Sequence, residues 1–419
     1  MLDKTLTIIL AGGVGSRLHP LTVDRAKPAV PFGGNYRIID FTLTNCLHSG
    51  LRQVLVLTQY KSQSLQKHLR DGWSIFNPEI SEYITSVPPQ MRTGDSWYSG
   101  TADAICQNRY LLERSNARHV LILSGDHIYR MDYAAMLEFH RDQEAELTIA
   151  CMPVSLASAS SFGIMSVDDQ QRICEFNEKP TNPKPMPNDS QHALASMGIY
   201  IFDMDLLNHE LQVDQSHTAS SHDFGKDIIP RLIETHRVCA YRFGGETGRV
   251  SPDRYWRDVG TIDSYYSANM DLLAQVPPLN LYQPDWPIRT YHGQNPPARM
   301  APGAHGTEGQ LVNSLLGSGT VVYGGTVRHS ILSHQVQVDE NAFVEDSILF
   351  DRVYVGVGAQ LKRCIVDKHV RIPPGERIGF DPIADAERFT ISESGITVVP
   401  KSYCFLTNTI NSSKVRYAR

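Results

Sequence analysis

Three glycines, a serine and an arginine stand within the six positions Gly12 to Arg17 of the run Leu10-Ala11-Gly12-Gly13-Val14-Gly15-Ser16-Arg17. Without a Cβ in the way, such a backbone can turn sharply and bring successive N–H groups close to a bound anion. Arg17 adds a guanidinium fork suited to phosphate oxygens. Further cations follow at Arg25, Lys27 and Arg37, so a chain of formal net charge −6 is locally basic here. Phosphate binding is one reading; a tight turn from a strand into a helix is the other. The loop is not a P-loop, because no Gly-Lys-Ser/Thr follows, and it lacks the G-x-G-x-x-G spacing of dinucleotide sites. Ser220-Ser221-His222-Asp223 sets Ser, His and Asp in a row. Hydrolase triads depend on spatial geometry rather than adjacency, and a helix-opening cap is the reading taken. The 16 histidines show no H-E-x-x-H spacing, so no dedicated zinc site is expected.

The elements that must carry these residues follow from the apolar pattern. Thr5 to Leu10 reads as a buried strand ending at the glycine loop. Residues 36–50 place Ile39, Leu43 and Leu47 on one helical face, with Gly50 as a stop. A strand over Gln53 to Thr58 and a helix opening at Ser62 come next. Residues 119–130 repeat the opening design: a buried strand ends at Gly125-Asp126, and Asp132 can cap the following helix. Such alternation predicts an α/β domain over residues 1–275, built on a Rossmann-like, mostly parallel sheet. Ligands then lie beyond the carboxyl ends of its strands. Pro277, Pro278, Pro284, Pro287, Pro296 and Pro297 break every period in residues 276–300, which reads as a stiff linker. Over 301–419 aliphatics recur at a spacing of 17, as in Val327, Val344 and Leu361, with others every five or six positions between them. Three short strands per period describe a triangular parallel β-helix; a meandering antiparallel sheet is the alternative.

Read together with Pro20-Leu21-Thr22, Lys27-Pro28 and Phe32-Gly33-Gly34, the glycine loop resembles the signature of the sugar-1-phosphate nucleotidyltransferases. The likeness continues through RIIDFTLTNC, WYSGTADAICQN, LSGDHIYRMDY, FNEKP, ASMGIYIFD, SSHDFGKDIIP and YWRDVGT, in one order along nearly the whole chain. It is closest to the bacterial branch that joins ATP to glucose 1-phosphate, forming ADP-glucose for glycogen-type synthesis. What the resemblance implies is a Mg²⁺-dependent in-line attack on the α-phosphorus, with a C-terminal left-handed β-helix used for oligomerisation and allostery in a homotetramer.

The same resemblance assigns Asp126 and Asp258 to the metal, and Arg17, Lys27 and Lys179 to the anionic groups. His127, beside Asp126, reads as a packing or supporting group, since an ionised phosphate needs no proton removed. Lys179 would hold the sugar phosphate and Glu178 the sugar hydroxyls, with Gly163, Ser196 and Tyr98 as further sugar or nucleotide-sugar contacts. Ala11, Gly12, Gly13, Gly15, Ser16 and Arg17 would cradle ATP, and Gln59, Gly100 and Thr101 would approach its base. Taken without that context, Asp126 or Asp258 reads as a cap or loop ion pair, and Glu178-Lys179 as a surface pair. Where enteric members carry a lysine and a histidine implicated in activation, this chain has Asp24 and Pro31, while Arg37 is retained. Weaker or different activation than the fructose-bisphosphate type is therefore expected; activation at micromolar fructose 1,6-bisphosphate would contradict it.

With 41% hydrophobic residues the chain can bury a large core, and its mild negative charge gives no pull toward nucleic acid or a membrane surface. Seven cysteines, an odd number without a C-x-x-C pair, fit reduced thiols in the cytoplasm. Residues 5–10 are too short to span a bilayer. Small-molecule effectors are the expected partners besides the two substrates. A uridylyl- or thymidylyltransferase and a non-catalytic regulatory subunit remain as rivals; the joint presence of Arg17, Lys27, Asp126, Lys179 and Asp258 argues against the second.

Overall fold

The apolar run at the amino end becomes Thr5–Ala11, a central strand of a nine-stranded mixed sheet. The structure is a computed structural model that describes residues 2–90, 97–187, 189–245 and 254–405; residues 406–419 of the expected C-terminal domain lie outside the described residues. Thr5–Ala11 pairs in parallel with Gln53–Thr58 on one side and His119–Ser124 on the other, and Tyr83–Val87 extends the parallel half. Beyond His119–Ser124 the sheet turns antiparallel. The 12-residue strand His192–Asp203 runs back against it and also pairs with Leu147–Ser155 and Gly163–Val167. Ile173–Glu178 closes that edge as the hairpin partner of Gly163–Val167. That hairpin needs only a short turn, whereas the ninth strand, Val238–Arg242, pairs in parallel with Leu147–Ser155 after an intervening helix.

Both faces of the sheet are covered, which is why the strands read as continuous apolar runs. Val120 and Ile122 point into one core with Phe202, Leu207 and Phe224, while Leu121 and Leu123 point into the other with Ile39, Leu43 and Trp73. The helix Ile38–His48 ends as its pattern predicts, with Gly50 at φ +79 just beyond. Asp132 caps Tyr133–Asp142 by accepting from the Ala134 N–H at 3.0 Å. No helix among the described residues is long and apolar enough to cross a membrane.

The C-terminal repeat folds into three parallel ladders that form the sides of a triangular coil. Val327, Val344, Leu361 and Ile378 stack in one, Val322, Val338, Val355 and Ile372 in the second, and Leu316, Leu332, Leu349, Val366 and Val399 in the third. Because the period equals one coil, each inward aliphatic meets its counterpart above and below. The fold is that expected of a left-handed hexapeptide coil.

Residues 276–298 hold no helix or strand, yet they are packed rather than free. Trp286 is 1% exposed and donates to Asn45 Oδ1 at 3.2 Å, and Thr290 Oγ1 donates to Asp40 Oδ2 at 2.7 Å. A third core joins the two domains, with Phe41, Tyr265 and Trp286 meeting Ile331, Ile348 and Ile365. At its margin Arg25 forks onto Asp367 with two 2.9 Å bonds, the side chains 5% and 1% exposed. Removing one member strands a buried charge, so Asp367→Ala is expected to cost about 3–5 kcal/mol, read by urea or thermal unfolding. A loss under about 1 kcal/mol would mean that water reaches the arginine.

Candidate active site

A cavity of about 550 Å³ opens beyond the carboxyl ends of Thr5–Ala11 and His119–Ser124. Its rim on one side is the glycine loop, with Ala11, Gly12, Gly13, Gly15, Ser16 and Arg17 all lining it. Gly15 has φ +65, and a Cβ there would meet Thr22 Cγ2 at 3.1 Å and Lys27 Cβ at 3.3 Å, so both conformation and space favour glycine. Thr22 Oγ1 fastens the turn by donating to the Gly15 carbonyl at 2.9 Å. Arg17 follows in the single turn Ser16–Leu18, exposed and with no ion-pair partner among the described residues. Its guanidinium passes over Gly260, where an added Cβ would lie 3.2 Å from Nη2 and 3.1 Å from Asp258 Oδ2.

Under the loop, three charges from distant segments meet. Lys27 is buried, and its Nζ lies 2.8 Å from Asp126 Oδ2 and 2.8 Å from Asp258 Oδ1. Asp126 follows the end of His119–Ser124, and the Ser124 hydroxyl donates to it. Asp258 arrives by a different route. The ribbon Trp256–Asp258 pairs antiparallel with His127–Tyr129, setting Asp258 opposite His127. Burial works against the Lys27 charge, but the Asp126 and Asp258 carboxylates outweigh it and raise its pKa. Burial likewise opposes the charge on Asp126, yet the Lys27 ammonium, with the His127 ring and the Ser124 hydroxyl, holds its carboxyl well below the usual range. His127 goes the other way: burial pushes its imidazole down despite the two carboxylates, which favours the neutral ring. Asp126, His127 and Asp258 each offer a ligand atom, and these lie within 4.8 Å of one another. Two carboxylates facing one point suit a hard divalent cation that keeps water and phosphate oxygens as its other ligands.

Across the cavity, Gln59, Tyr98, Gly100 and Thr101 form a second wall. Gln59 Nε2 donates to the Tyr98 carbonyl at 3.3 Å, and the Tyr98 hydroxyl accepts from Asn108 Nδ2 at 2.9 Å. Gly100 is pressed against the neighbouring chain: a Cβ would stand 2.1 Å from the His222 carbonyl oxygen and 2.5 Å from that of Ser221. Both are backbone atoms, and the His222 oxygen already accepts from the Ala102 N–H at 2.9 Å. Gly100→Ala should therefore push the Tyr98–Thr101 wall aside. A displacement of about 1 Å can cost on the order of a hundred-fold in kcat/KM. Steady-state kinetics with nucleotide varied would show it, and an unchanged kcat/KM would mean that this wall does not touch substrate.

Glu178 ends the strand Ile173–Glu178 and lines the third side. Its carboxylate sits between Gly163 and Gly225, where Cβ atoms would lie 2.8 and 2.6 Å from Oε2. Lys179 follows at φ +48, its Nζ 2.8 Å from Glu178 Oε1 and its side chain 60% exposed, and it is not among the residues lining the cavity. Gly163 and Ser196 also lie behind the lining. Ser196 is buried, and its hydroxyl accepts from the Gly198 N–H at 3.2 Å. The structure thus gathers the glycine loop, Lys27, Gln59, Tyr98, Gly100, Thr101, Asp126 and Glu178 around one space, with Asp258 reached through Lys27. Tyr200, Asp223, Gly225 and Gly260 line it too and escape a residue-by-residue reading. Gly225 and Gly260 stand inside the quoted segments SSHDFGKDIIP and YWRDVGT, which was the available signal. Asp223 caps Phe224–Ile228 by accepting from the Gly225 and Lys226 N–H groups, while His222 pairs with Asp214 and Ser221 with Asp227, so these three side chains form no triad.

Arg37 lies elsewhere, against a cavity of about 400 Å³ between the domains that Lys67, Arg352, Lys368 and Pro31 also line. Its guanidinium is held by Ser64, whose hydroxyl accepts at 2.9 Å. Asp24 is outside that lining and pairs with Lys401 at 3.1 Å.

Two family profiles divide the chain: that of the nucleotidyl transferases matches residues 6–275, and that of the GlmU-like C-terminal hexapeptide matches residues 296–399. The chain is 62% identical to glucose-1-phosphate adenylyltransferase 2 of Vibrio cholerae, over 97% of its own length and 100% of the relative's. It is 63% identical to the Vibrio vulnificus protein of the same name, over 96% of this chain and 100% of the other. Against the glucose-1-phosphate adenylyltransferase of Paramagnetospirillum magneticum the identity is 49%, over 95% and 94%.

Proposed function

The chain belongs to the nucleotidyl transferase family, and from that premise we propose that it makes ADP-glucose from ATP and α-D-glucose 1-phosphate, releasing pyrophosphate. The observation that carries this reading is the Lys27–Asp126–Asp258 cluster beneath a glycine loop whose arginine has no ion-pair partner among the described residues. A phosphate oxygen of glucose 1-phosphate forms the new bond to the α-phosphorus, and the bond to the bridging oxygen breaks, pyrophosphate leaving with that electron pair. Both reactants are anions, so the chain must supply cations and alignment rather than a nucleophile. Arg17, at the loop tip, faces the departing charge. Lys27 is held by two carboxylates at the floor, close to where the α-phosphate would rest. The attacking phosphate is already ionised, so it offers His127 no proton to remove.

Glu178, walled by two glycines, accepts hydrogen bonds from sugar hydroxyls, and Gly163, Ser196 and Lys179 complete that end. Lys179 must swing from Glu178 to reach a sugar phosphate, which its exposure permits. Gln59, Tyr98, Gly100 and Thr101 meet the nucleoside. Asp126 and Asp258 would hold Mg²⁺, which supplies neutralisation of phosphate charge. The product would feed glycogen-type synthesis in the cytoplasm. The interdomain cavity, with Arg37, Lys67, Arg352 and Lys368, offers cations to a phosphorylated effector, and the β-helix a surface for assembly into a homotetramer. Pyrophosphate release from the purified chain, with glucose 1-phosphate and ATP, UTP or dTTP in turn, tests the reading. ATP should be used best; preference for UTP or dTTP, or no release by the chain alone, would overturn it.

A further inference from the structure

At the end of the sheet opposite the active-site cavity, His119, His140 and Asp203 meet in a cluster that nucleotidyl transfer does not use. His119 opens the strand His119–Ser124, Asp203 closes His192–Asp203, and the two are directly opposite in the antiparallel register. His140 comes from the last turn of the helix Tyr133–Asp142, which packs over the same end. His119 Nε2 and His140 Nε2 each stand 3.5 Å from Asp203 Oδ1, and the three atoms lie within 4.8 Å of one another.

These separations are long for hydrogen bonds between imidazole and carboxylate. They are close to the edge of a tetrahedron whose centre lies roughly 2.0–2.1 Å from each nitrogen or oxygen, which is about 3.3–3.4 Å. His140 is 2% exposed and its Nε2 makes no hydrogen bond, although a buried polar atom is normally satisfied. Its other nitrogen, Nδ1, lies 2.8 Å from Thr148 Oγ1, a partner that can take the ring proton and leave the Nε2 lone pair aimed at the cluster. Asp203 occupies the N-cap of the helix Met204–Ser216, yet its carboxylate accepts no bond from the helix amides and is turned to the imidazoles instead. Asp203 also borders a cavity of about 470 Å³ lined by Glu146, His209 and His236, which leaves one side of the cluster open.

The geometry points to a Zn²⁺ site in which His119 Nε2, His140 Nε2 and Asp203 Oδ1 are the protein ligands and water from the adjoining cavity fills the fourth position. Two imidazoles and one carboxylate suit zinc better than magnesium, which prefers oxygen donors. The ion would tie two strands and a helix together at this end, away from Asp126 and Asp258. Motif reading predicts no zinc site because the ligands sit at positions 119, 140 and 203, a spacing that only the fold brings together.

The test is a titration of the full chain, stripped with chelator, by Zn²⁺ in competition with a chromophoric chelator, repeated with Co²⁺ as a spectroscopic probe. One equivalent should bind, raise the midpoint of thermal unfolding, and survive in Asp126→Asn. The Co²⁺ form should show the visible bands of four-coordinate nitrogen and oxygen ligation without thiolate charge transfer. Thr148→Val should weaken binding about 10- to 100-fold by freeing the His140 ring, and Asp203→Asn should weaken it further. If Asp203→Asn does not fold, Thr148→Val and the unsubstituted chain still decide the matter. No bound equivalent, a thiolate band, loss of the equivalent in Asp126→Asn, or unchanged affinity in a folded Thr148→Val or Asp203→Asn chain would each overturn the assignment.

Discussion

Asp126→Asn is expected to lower kcat about a thousand-fold while KM for either substrate moves by no more than a few-fold. A Lewis-acidic cation contributes several kcal/mol of stabilisation to developing phosphate charge, and each 1.36 kcal/mol is about a factor of ten in rate. The substitution keeps the shape of the side chain and removes the charge that would fix that cation. The fold should tolerate it, because Lys27 retains Asp258 at 2.8 Å and the Asp126 side chain is 28% exposed. An interaction made chiefly in the transition state lowers kcat and kcat/KM together, and steady-state pyrophosphate release would separate that pattern from a binding defect. A kcat within about three-fold of the parent would remove Asp126 from the chemistry.

Lys27→Met acts on the same cluster from the other side and should change how stability depends on pH. In the parent, the Asp126 carboxyl is held below its ordinary value, so its contribution is complete above the unfolded pKa of about 3.9 and is lost as acid approaches the folded one. The raised pKa of Lys27 has the opposite sign: its contribution is complete below the unfolded value of about 10.4 and fades as pH rises through the folded one. Between those limits, roughly pH 5–9, both are present. Without the ammonium, two carboxylates face each other across a half-buried gap, and one must take up a proton at a raised pKa. Stability of the variant should then fall as pH rises from about 4 to 7, where the parent is flat or rising. Uncompensated buried charge of this kind costs about 3–5 kcal/mol at neutral pH. Millimolar Mg²⁺ should restore more stability to the variant than it adds to the parent. Parallel pH profiles for parent and variant, measured by urea unfolding, would show that the carboxylates do not sense one another.

Much of this arrangement was legible in the chain because it is local. The glycine loop, the strand before it and the basic residues after it are consecutive, so composition alone marks a turn that can approach an anion. The 17-residue recurrence fixes the β-helix, since a coil whose length equals the repeat must stack like on like. Helix limits at Ile38–His48 and Tyr133–Asp142 follow from glycine and aspartate chemistry at their ends. The direction of His192–Asp203 was not legible in this way. Its apolar pattern suits a parallel or an antiparallel neighbour equally, and only its place in the closed sheet, antiparallel to both His119–Ser124 and Leu147–Ser155, decides.

The sequence by itself determined which residue types were available and how each segment would curl or extend, because those preferences act within a few residues. Tertiary structure alone decided which charges share a point in space. Lys27, Asp126 and Asp258 are brought together by a sheet end and a short ribbon, and His119, His140 and Asp203 by the opposite end of the same sheet. Lys179 illustrates the converse: the family resemblance implies a phosphate ligand, while the fold leaves its ammonium on Glu178 at the cavity edge, the pair that adjacency alone suggests. The reason is physical. Electrostatic coupling falls with distance through space and takes no account of separation along the chain, so it is set only once the cores have closed.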